Sequence, residues 1–361
     1  MLRVAIIGCG KIADAHASQI QRIPGCEIVG VCDAEELMAR QLYERFPVRR
    51  YFNNVAELLN QSRPDVVHVT TPPQSHFCIT TQCLHFGCHV YVEKPFTVDT
   101  HQAETLIELA QQKGLRITVG HDDQFRPAAR RMRRLIQDGY LGGPPVHMES
   151  YYCYELSGNS YAKSFLTDKQ HWVRSLPGGL LHNVISHGIA RIAEFLPVTR
   201  PKVIAHGFVS PRLRKLCESE LIDELRLIIV AEDHATAYFT FSSQLRPSLH
   251  QFRIFGPMNA LLLDQDNETL VKLTGRRYKS YLEQFLPPIT LASQYFRNSL
   301  RNVRQFLASD FHSKEGMRYL IQSFYQSIAA NCPLPIPYRD IVLTSRIMDE
   351  TFSQLGGVPT A

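Results

Sequence analysis

The sequence predicts an α/β domain with a parallel sheet, followed by an α+β domain with an open, mostly antiparallel sheet. Over the first 140 residues, short β-branched runs alternate with stretches of helical periodicity. That alternation is typical of βαβ units whose parallel sheet is covered by helices on both faces. After Tyr140, strand-like stretches follow one another with few helices between them, which favours one mostly antiparallel sheet.

The elements of the first part alternate from the N-terminus onward. We expect strands at 2–7, 27–32, 66–70, 89–92 and 116–120. We expect helices at 11–23, 34–46, 75–86 and 101–113. Crossovers between parallel strands of this kind are almost always right-handed.

The second part is read in the same way. Strands are expected at 146–154, 202–209, 225–230, 235–241, 252–255 and 260–263, and helices at 180–195, 314–331 and 338–355. The run Gly142-Gly143-Pro144-Pro145 punctuates the change of pattern and predicts a domain boundary there. We assign 1–122 to the first domain, with C-terminal helices such as 338–355 as candidates to pack back on it. We assign 123–361 to an α+β domain for substrate binding and oligomerisation.

The composition is that of a packed globular protein, with 44% hydrophobic and 20% charged residues in 361. The formal charge of +5 is spread along the chain, whereas nucleic-acid binders concentrate it on one face, so we expect no nucleic-acid partner. Nine cysteines at irregular spacing argue against a disulfide framework. The apolar stretch 4–7 ends at once in glycine, unlike a secretory signal, and we expect a cytoplasmic protein.

The segment Gly8-Cys9-Gly10-Lys11-Ile12-Ala13 has the form G-x-G-x-x-A. It follows an expected strand and opens an expected helix, the context in which this pattern binds a dinucleotide. The first glycine permits a tight turn, the second lets a pyrophosphate approach the helix N-terminus, and the alanine permits close helix–strand packing. The motif predicts a Rossmann dinucleotide-binding domain; the alternative is a chance glycine turn.

Asp33 stands twenty positions beyond Ala13, at the end of the second expected strand. A carboxylate there hydrogen-bonds the adenosine ribose hydroxyls and repels a 2′-phosphate. We therefore expect NAD, in preference to NADP, as the cofactor. The alternative for Asp33 is a solvated side chain without a ligand.

Four further stretches resemble the Gfo/Idh/MocA family of oxidoreductases. Thr71-Pro72-Pro73 with His76 is similar to its T-P-x-x-x-H, and Glu93-Lys94-Pro95 to its E-K-P signature. The segment from Gly178-Gly179 to His187 is similar to its G-G-x-L-x-D-x-G-x-H helix, and 320–337 to its closing segment.

The resemblance implies a Rossmann domain plus an open sheet that often forms an oligomer interface, hence a dimer or tetramer. It also implies hydride transfer between a nicotinamide and a carbinol carbon of a sugar, sugar-nucleotide or polyol. The motifs place the following residues at the cofactor: Gly8, Cys9, Gly10, Lys11, Ile12, Asp33, Thr71, Pro72, His76, Glu93 and Lys94.

Lys94 is the first candidate for acid–base chemistry, because hydride removal from an alcohol requires a group that takes the hydroxyl proton. It ends an expected strand at the carboxyl edge of the sheet, where ligands of open α/β folds bind. A partly buried lysine can act as acid, base or oxyanion donor. The alternative is a surface lysine held by Glu93.

His187 is the second candidate, since an imidazole is the usual proton shuttle near neutral pH. On one continuous helix, Asn183 and His187 are four residues apart and face the same way. The alternative is a histidine that only packs the helix. Asn183, Ile185 and Ala190 depart from the family pattern of Asp, Gly and Asp, and Asn183 cannot be a general base. These departures leave room for a variant chemistry or a degenerate sensor.

The pocket-lining candidates lie in two loops. His121 and Asp122 follow the expected strand at 116–120, in a region where Gln124 replaces the family's arginine. Trp172 and Tyr161 lie in the loop before Gly178, and either stack on a sugar ring or pack the loop. We expect no metal site, because His182 and His187, five residues apart, face differently on a helix.

The stretch 286–307 is amphipathic, with Ile289, Leu300 and Val303 beside three arginines. It predicts either a helix packed on the sheet, which the bulk of Phe285 and Phe296 favours, or a basic helix that touches an anionic membrane or a partner.

Three functions stay open at this stage. The first is an NAD-dependent sugar or sugar-nucleotide dehydrogenase. The second is a glycosidase of the same fold that oxidises its substrate transiently and returns the hydride, so that no NADH accumulates. The third is a non-catalytic NAD-binding regulator or scaffold.

Overall fold

The computed structural model describes residues 1–155, 160–216, 218–232, 234–275, 278–279, 281–308 and 314–355, without the side chains of 160–163. The chain forms two compact units. The first comprises Met1–Asp122 and Gly316–Arg346, and the second comprises Asp123–Glu315 and Ile347–Ala361. The run at 142–145 that predicts a boundary lies inside the second unit, and 316–346 belongs to the first. A glycine–proline run marks a turn, and here that turn joins a helix to a strand of the same unit.

The first unit contains a parallel six-stranded sheet in the order β3-β2-β1-β4-β5-β6. Its strands are β1 (Leu2–Ile7), β2 (Cys26–Cys32), β3 (Tyr51–Phe52), β4 (Val66–Val69), β5 (His89–Val92) and β6 (Ile117–Val119). Its helices are α1 (Lys11–Gln21), α2 (Glu36–Arg45), α3 (Val55–Ser62), α4 (His76–Phe86), α5 (Thr100–Gln112) and α12 (Glu315–Ala330), together with the first half of α13 (Tyr338–Leu355). The Rossmann fold predicted from the glycine motif is confirmed.

The loops that leave β1, β2, β4, β5 and β6 all lie at the carboxyl edge of this sheet, because all neighbouring strands are parallel. The strand order reverses between β1 and β4, and ligands of open α/β sheets bind at such a switch point. The sequence missed β3 and α3. Strand β3 has only two residues, too few to show an alternating pattern. Helix α3 begins after Asn54, whose side chain accepts a hydrogen bond from the Glu57 amide, and this N-cap was the signal that the sequence offered.

The second unit contains a seven-stranded sheet in the order β13-β12-β11-β7-β10-β9-β8. All neighbouring pairs are antiparallel except β7 and β10, which confirms the mostly antiparallel sheet. Its strands are β7 (His147–Cys153), β8 (Lys202–Phe208), β9 (Glu224–Ala231), β10 (Ala235–Ser242), β11 (Leu249–Phe255), β12 (Asn259–Asp264) and β13 (Thr269–Thr274). Its helices are α6 (Pro127–Gln137), α7 (Ser160–Thr167), α8 (Gly179–Val184), α9 (Ser186–Phe195), α10 (Pro211–Lys215) and α11 (Leu282–Leu307).

The helix expected at 180–195 is two helices, α8 and α9, which meet at Ile185. Asn183 and His187 therefore lie on different helices, and the prediction of one continuous helix is wrong. The Ser186-His187-Gly188 stretch has low helix propensity, which explains why the sequence does not sustain one helix there.

Helix α9 approaches the sheet closely because residue 188 is glycine. The Ser150 hydroxyl on β7 donates to the Gly188 carbonyl at 3.0 Å. A Cβ at this position would overlap the buried Phe239 ring and lie 3.1 Å from the Tyr152 Cβ.

None of the helices in the described ranges is both long and apolar enough to cross a membrane.

We predict that Gly188→Ala lowers the free energy of unfolding by about 1–3 kcal/mol, because the added methyl group must push α9 off a close-packed ring. Gly275→Ala is the matched control: a Cβ there meets only one atom within 4 Å, the Met258 carbonyl oxygen at 3.9 Å. Urea unfolding of the three proteins measures the effect. Equal stability of Gly188→Ala and the control would contradict the packing argument.

Candidate active site

The glycine turn after β1 is shaped to receive a ligand. Gly8 has a φ of 97°, and a Cβ there would lie 2.7 Å from the Thr70 carbonyl carbon, so only glycine fits. Gly10 caps α1 without any side-chain cap, and a Cβ there would meet nothing within 4 Å. The start of α1 thus has open space beside Gly10 and no side-chain cap, which suits the pyrophosphate of a dinucleotide.

Asp33 is tied to this turn. Its Oδ2 accepts from the Cys9 amide at 2.7 Å, and its Oδ1 accepts from the Glu35 amide at 3.0 Å. Each carboxylate oxygen can accept a further hydrogen bond, as a ribose hydroxyl would require. Burial, reinforced by Asp33, raises the pKa of the Cys9 thiol, so Cys9 stays neutral and contributes packing and its main chain.

Lys11 and Ile12 form the start of α1, Lys11 exposed and Ile12 half-buried. Their position places their main-chain amides, rather than their side chains, at the glycine turn.

His76 joins the loop after β4 to the loop after β5. Its Nε2 lies 2.8 Å from the Thr71 carbonyl oxygen, and its Nδ1 lies 3.0 Å from the Pro95 carbonyl oxygen. The ring is fully buried. His76 therefore fixes the position of Thr71-Pro72 from within the protein, and any effect on a cofactor is indirect.

Glu93 is a buried carboxylate at the end of β5. Its Oε1 accepts from His16 Nε2 at 2.8 Å, and its Oε2 accepts from the Lys94 amide at 3.1 Å. Burial acts to raise the pKa of Glu93, but the His16 hydrogen bond and nearby positive charge outweigh it and lower the pKa to about 2. A Cβ at position 120 would lie 2.7 Å from Oε1, so the carboxylate requires Gly120. Lys94, half-buried, follows directly at the sheet edge.

Behind Glu93 runs a chain of buried hydrogen bonds that the sequence analysis missed. His16 Nδ1 lies 2.8 Å from His68 Nδ1, and His68 Nε2 lies 2.7 Å from the Tyr325 hydroxyl. Burial lowers the pKa of His68 well below its usual range and raises that of Tyr325. Because Glu93 only accepts, His16 Nε2 donates to it; when both rings are neutral, Tyr325 donates to His68 and His68 donates to His16. The sequence feature that could have revealed this chain is His68, a polar residue within the otherwise apolar, fully buried strand β4.

In the second unit, His187 lies beside a carboxylate and a tyrosine. Its Nδ1 is 3.7 Å from Asp123 Oδ2, and its ring stacks on Tyr152 at a centroid distance of 5.8 Å. The Tyr152 hydroxyl donates to the same Asp123 oxygen at 3.2 Å. Burial acts to raise the pKa of Asp123, but His187, Arg126 and Arg191 lower it to about 2, so the carboxylate is ionised.

Neighbouring strands extend this cluster. His250, opposite Tyr152 on β11, contacts it edge-on at 4.7 Å and lies 2.7 Å from Asp266 Oδ1 through its Nδ1. Gln124 donates to the Ala190 carbonyl at 3.1 Å, which holds the loop after β6 against α9. The sequence pointed to this loop, but through His121 and Asp122 rather than Asp123.

The other expected substrate residues are dispersed. His121 and Asn183 are buried, and Asp122 begins a short 3₁₀ turn. Trp172 is half-buried and stacks on His171 at 5.5 Å. Tyr161 lies outside the residues whose side chains are described. The assignment of all these residues to a substrate stays a prediction.

Comparison with known proteins supports the Rossmann fold of the first unit. Residues 2–121 match the model of an oxidoreductase family with an NAD-binding Rossmann fold. D-glucoside 3-dehydrogenase of Escherichia coli K12 is 33% identical over 142 residues, which are 39% of this chain and 40% of that protein. UDP-N-acetylglucosamine 3-dehydrogenase of Acidithiobacillus ferrooxidans is 32% identical over 149 residues, 41% of this chain and 44% of that protein. The matched segments thus span about two fifths of these relatives.

A solved structure extends the likeness of fold to the whole chain. The WlbA dehydrogenase from Bordetella pertussis, in complex with NADH and UDP-GlcNAcA, superposes with a TM-score of 0.77. The superposition covers 99% of this chain and 96% of that one at 14% identity. The match of residues 2–121 shows that the first unit is similar to the NAD-binding Rossmann domain of this oxidoreductase family.

Proposed function

We propose that this protein is an NAD-dependent dehydrogenase that transfers a hydride between the nicotinamide and a carbinol carbon of a sugar, sugar-nucleotide or polyol. The observation that carries the proposal is the Glu93–Lys94 turn, in which a buried, ionised carboxylate fixes the main chain of a half-buried lysine at the carboxyl edge of a Rossmann sheet. The relatives named for oxidation at carbon 3 of a glucoside or of UDP-N-acetylglucosamine support a pyranose substrate.

The cofactor assignment rests on Asp33. NAD, when bound, supplies the hydride acceptor, and the open space at Gly10 fits its pyrophosphate. Asp33 is already held by two main-chain amides, so it meets the ribose with its orientation fixed. A 2′-phosphate would bring a second negative charge beside this carboxylate, which favours NAD over NADP.

Proton transfer is assigned to Lys94 and His187. Lys94 Nζ holds or takes the proton of the substrate hydroxyl. His187 has an ionised carboxylate beside its Nδ1, which stabilises a positive charge on the ring. Asp123 thereby supplies the acidic partner that Asn183 cannot provide.

A panel of sugars, polyols and UDP- or GDP-sugars, followed by NADH absorbance, tests the function. Accumulation of NADH with one of them supports a dehydrogenase. Conversion of a glycoside without net NADH would indicate the transient-oxidation glycosidase, and tight NAD binding without turnover of any compound would indicate a regulator.

We predict that Lys94→Ala lowers kcat by about 10²–10⁴-fold, the usual contribution of a positioned acid–base group, and leaves the Kd for NAD nearly unchanged. Lys113→Ala, an exposed lysine at the end of α5, is the control. Steady-state kinetics and NAD titration measure both variants. Unaltered kcat in Lys94→Ala would remove this lysine from the mechanism.

We predict that Asp33→Ser shifts the preference from NAD towards NADP by at least about tenfold in kcat/KM, since repulsion of the 2′-phosphate is removed. Serine keeps a hydrogen-bond acceptor near the Cys9 amide. Glu36→Ser, a nearby carboxylate in the first turn of α2, is the control. If the ratio of the two cofactors stays that of the unmodified protein, Asp33 does not contact the ribose.

Glu93→Gln should remove an acid-dependent part of the stability. The pKa of Glu93 is lowered from 4.5 to about 2 on folding, so its charge stabilises the folded state above pH 4.5 and this contribution is lost as the pH falls towards 2. The stability difference between the unmodified protein and Glu93→Gln should therefore shrink between these pH values. Urea unfolding at a series of pH values measures it, and a difference that is constant with pH would show that the carboxylate is not ionised.

A further inference from the structure

Helix α11 is attached to the sheet by amide side chains. Gln294 exchanges two hydrogen bonds with the main chain of Lys272, at 2.8 and 3.0 Å. Asn298 does the same with the main chain of Leu270, at 3.3 and 3.0 Å, and Asn302 donates to the Asn267 carbonyl at 3.0 Å. These three amides recur every four residues, so they form one stripe along the helix, and that stripe faces the edge strand β13.

The opposite side of α11 is apolar and exposed. Its large side chains are between 46% and 76% exposed, and their spacing places them within about 60° of arc, on the side opposite the amides. We call these residues the outer stripe: Leu282, Phe285, Ile289, Phe296, Leu300, Val303 and Leu307. Over 26 residues the helix is about 39 Å long, and the outer stripe follows its whole length.

This arrangement reverses the usual amphipathic packing, in which the apolar face meets the core. Phe285 and Phe296 are 61% and 66% exposed, so the interpretation of their bulk as part of the core is wrong. Exposed single apolar residues need no explanation, but a contiguous stripe of this length marks an interaction surface.

Positive charge lies beside the outer stripe. Arg297, Arg301 and Arg304 follow one flank of α11, and Glu283 is the acidic residue of the helix. A cavity of about 670 Å³ between α6, β13 and α11 is lined by apolar, neutral polar and cationic side chains with a single acidic one, Asp138. Its cations are Arg131, Arg134, Lys272, Arg297 and Arg301. Burial and the neighbouring Arg301 lower the pKa of Arg131 to about 10, as expected where positive charges crowd together.

We propose that α11 lies in the plane of an anionic lipid membrane, with the outer stripe among the acyl chains and the flanking arginines at the lipid phosphates. A large apolar face with aromatic residues, bordered by arginines, is the pattern of helices that bind at membrane interfaces. Each basic side chain near an anionic surface adds to the binding. The basic cavity beside the helix is of a size and charge to receive a phosphate headgroup.

A second copy of this chain fits the outer stripe less well, because pairing two such helices brings six arginines together with two glutamates. A different surface suits a second copy better. Ile204, Ile228 and Tyr238 form a cross-strand row on β8, β9 and β10, and each is more than 40% exposed. That row lies on the sheet and leaves α11 for the membrane.

The test is co-sedimentation of the full chain with vesicles of phosphatidylcholine alone or mixed with phosphatidylglycerol. We expect binding to the mixed vesicles that is at least tenfold stronger than to phosphatidylcholine and that weakens at high salt. The double variant Ile289→Ser with Phe296→Ser should lose at least tenfold in binding. Leu37→Ser with Met258→Ser is the matched control, since these residues are 65% and 69% exposed elsewhere.

Arg297→Gln with Arg304→Gln provides a second readout, because it should weaken the preference for phosphatidylglycerol and leave the outer stripe intact. Light scattering and NAD titration of every variant report oligomeric state and folding. Absence of binding to the mixed vesicles, or equal binding by the serine variant and its control, would overturn the proposal. So would a dimer that the serine variant dissociates without any vesicle binding, which would assign the outer stripe to a second copy. None of these results depends on the dehydrogenase activity.

Discussion

The buried carboxylate of Glu93 is the constraint on which the nucleotide-binding unit depends. A charge removed from water must be compensated where it lies, and Glu93 is compensated by the His16 ring and by the main-chain amide of Lys94. It thus joins α1 to the end of β5, and it excludes any side chain from position 120 after β6. Helix α1, which follows the glycine turn, and the lysine assigned to catalysis are therefore positioned by the same group.

In the second unit, the Asp123 carboxylate likewise holds the groups around it. This carboxylate is ionised, and it is shared by the Tyr152 hydroxyl and the nearby His187 ring. Arg191 on α9 donates to the Asp123 carbonyl at 2.8 Å, so the main chain is held as well as the side chain. In each unit the residue assigned to proton transfer is adjacent to a carboxylate whose own proton is lost well below neutral pH.

The sequence predicted those features that local periodicity and spacing encode. The alternation of strands and helices, the glycine turn and the position of Asp33 after β2 follow from short stretches read in order. The partners of His187 could not be predicted, because Tyr152 and His250 meet through the register of β7 and β11, and register depends on residues about a hundred positions apart. The outward face of α11 was also missed, since periodicity finds an apolar stripe but not the direction in which it points.

The amides that anchor α11 have a consequence for the borders of the seven-stranded sheet. At the β13 border, Gln294 and Asn298 occupy main-chain groups that an incoming strand would need. At the β8 border, the Gln354 side chain accepts from the Ala205 amide and donates to the Val203 carbonyl. At both edge strands of the sheet, glutamine or asparagine side chains thus occupy main-chain hydrogen-bonding groups, which opposes aggregation by the addition of further strands. Self-assembly by pairing of strands edge to edge is thereby opposed at both borders of the sheet.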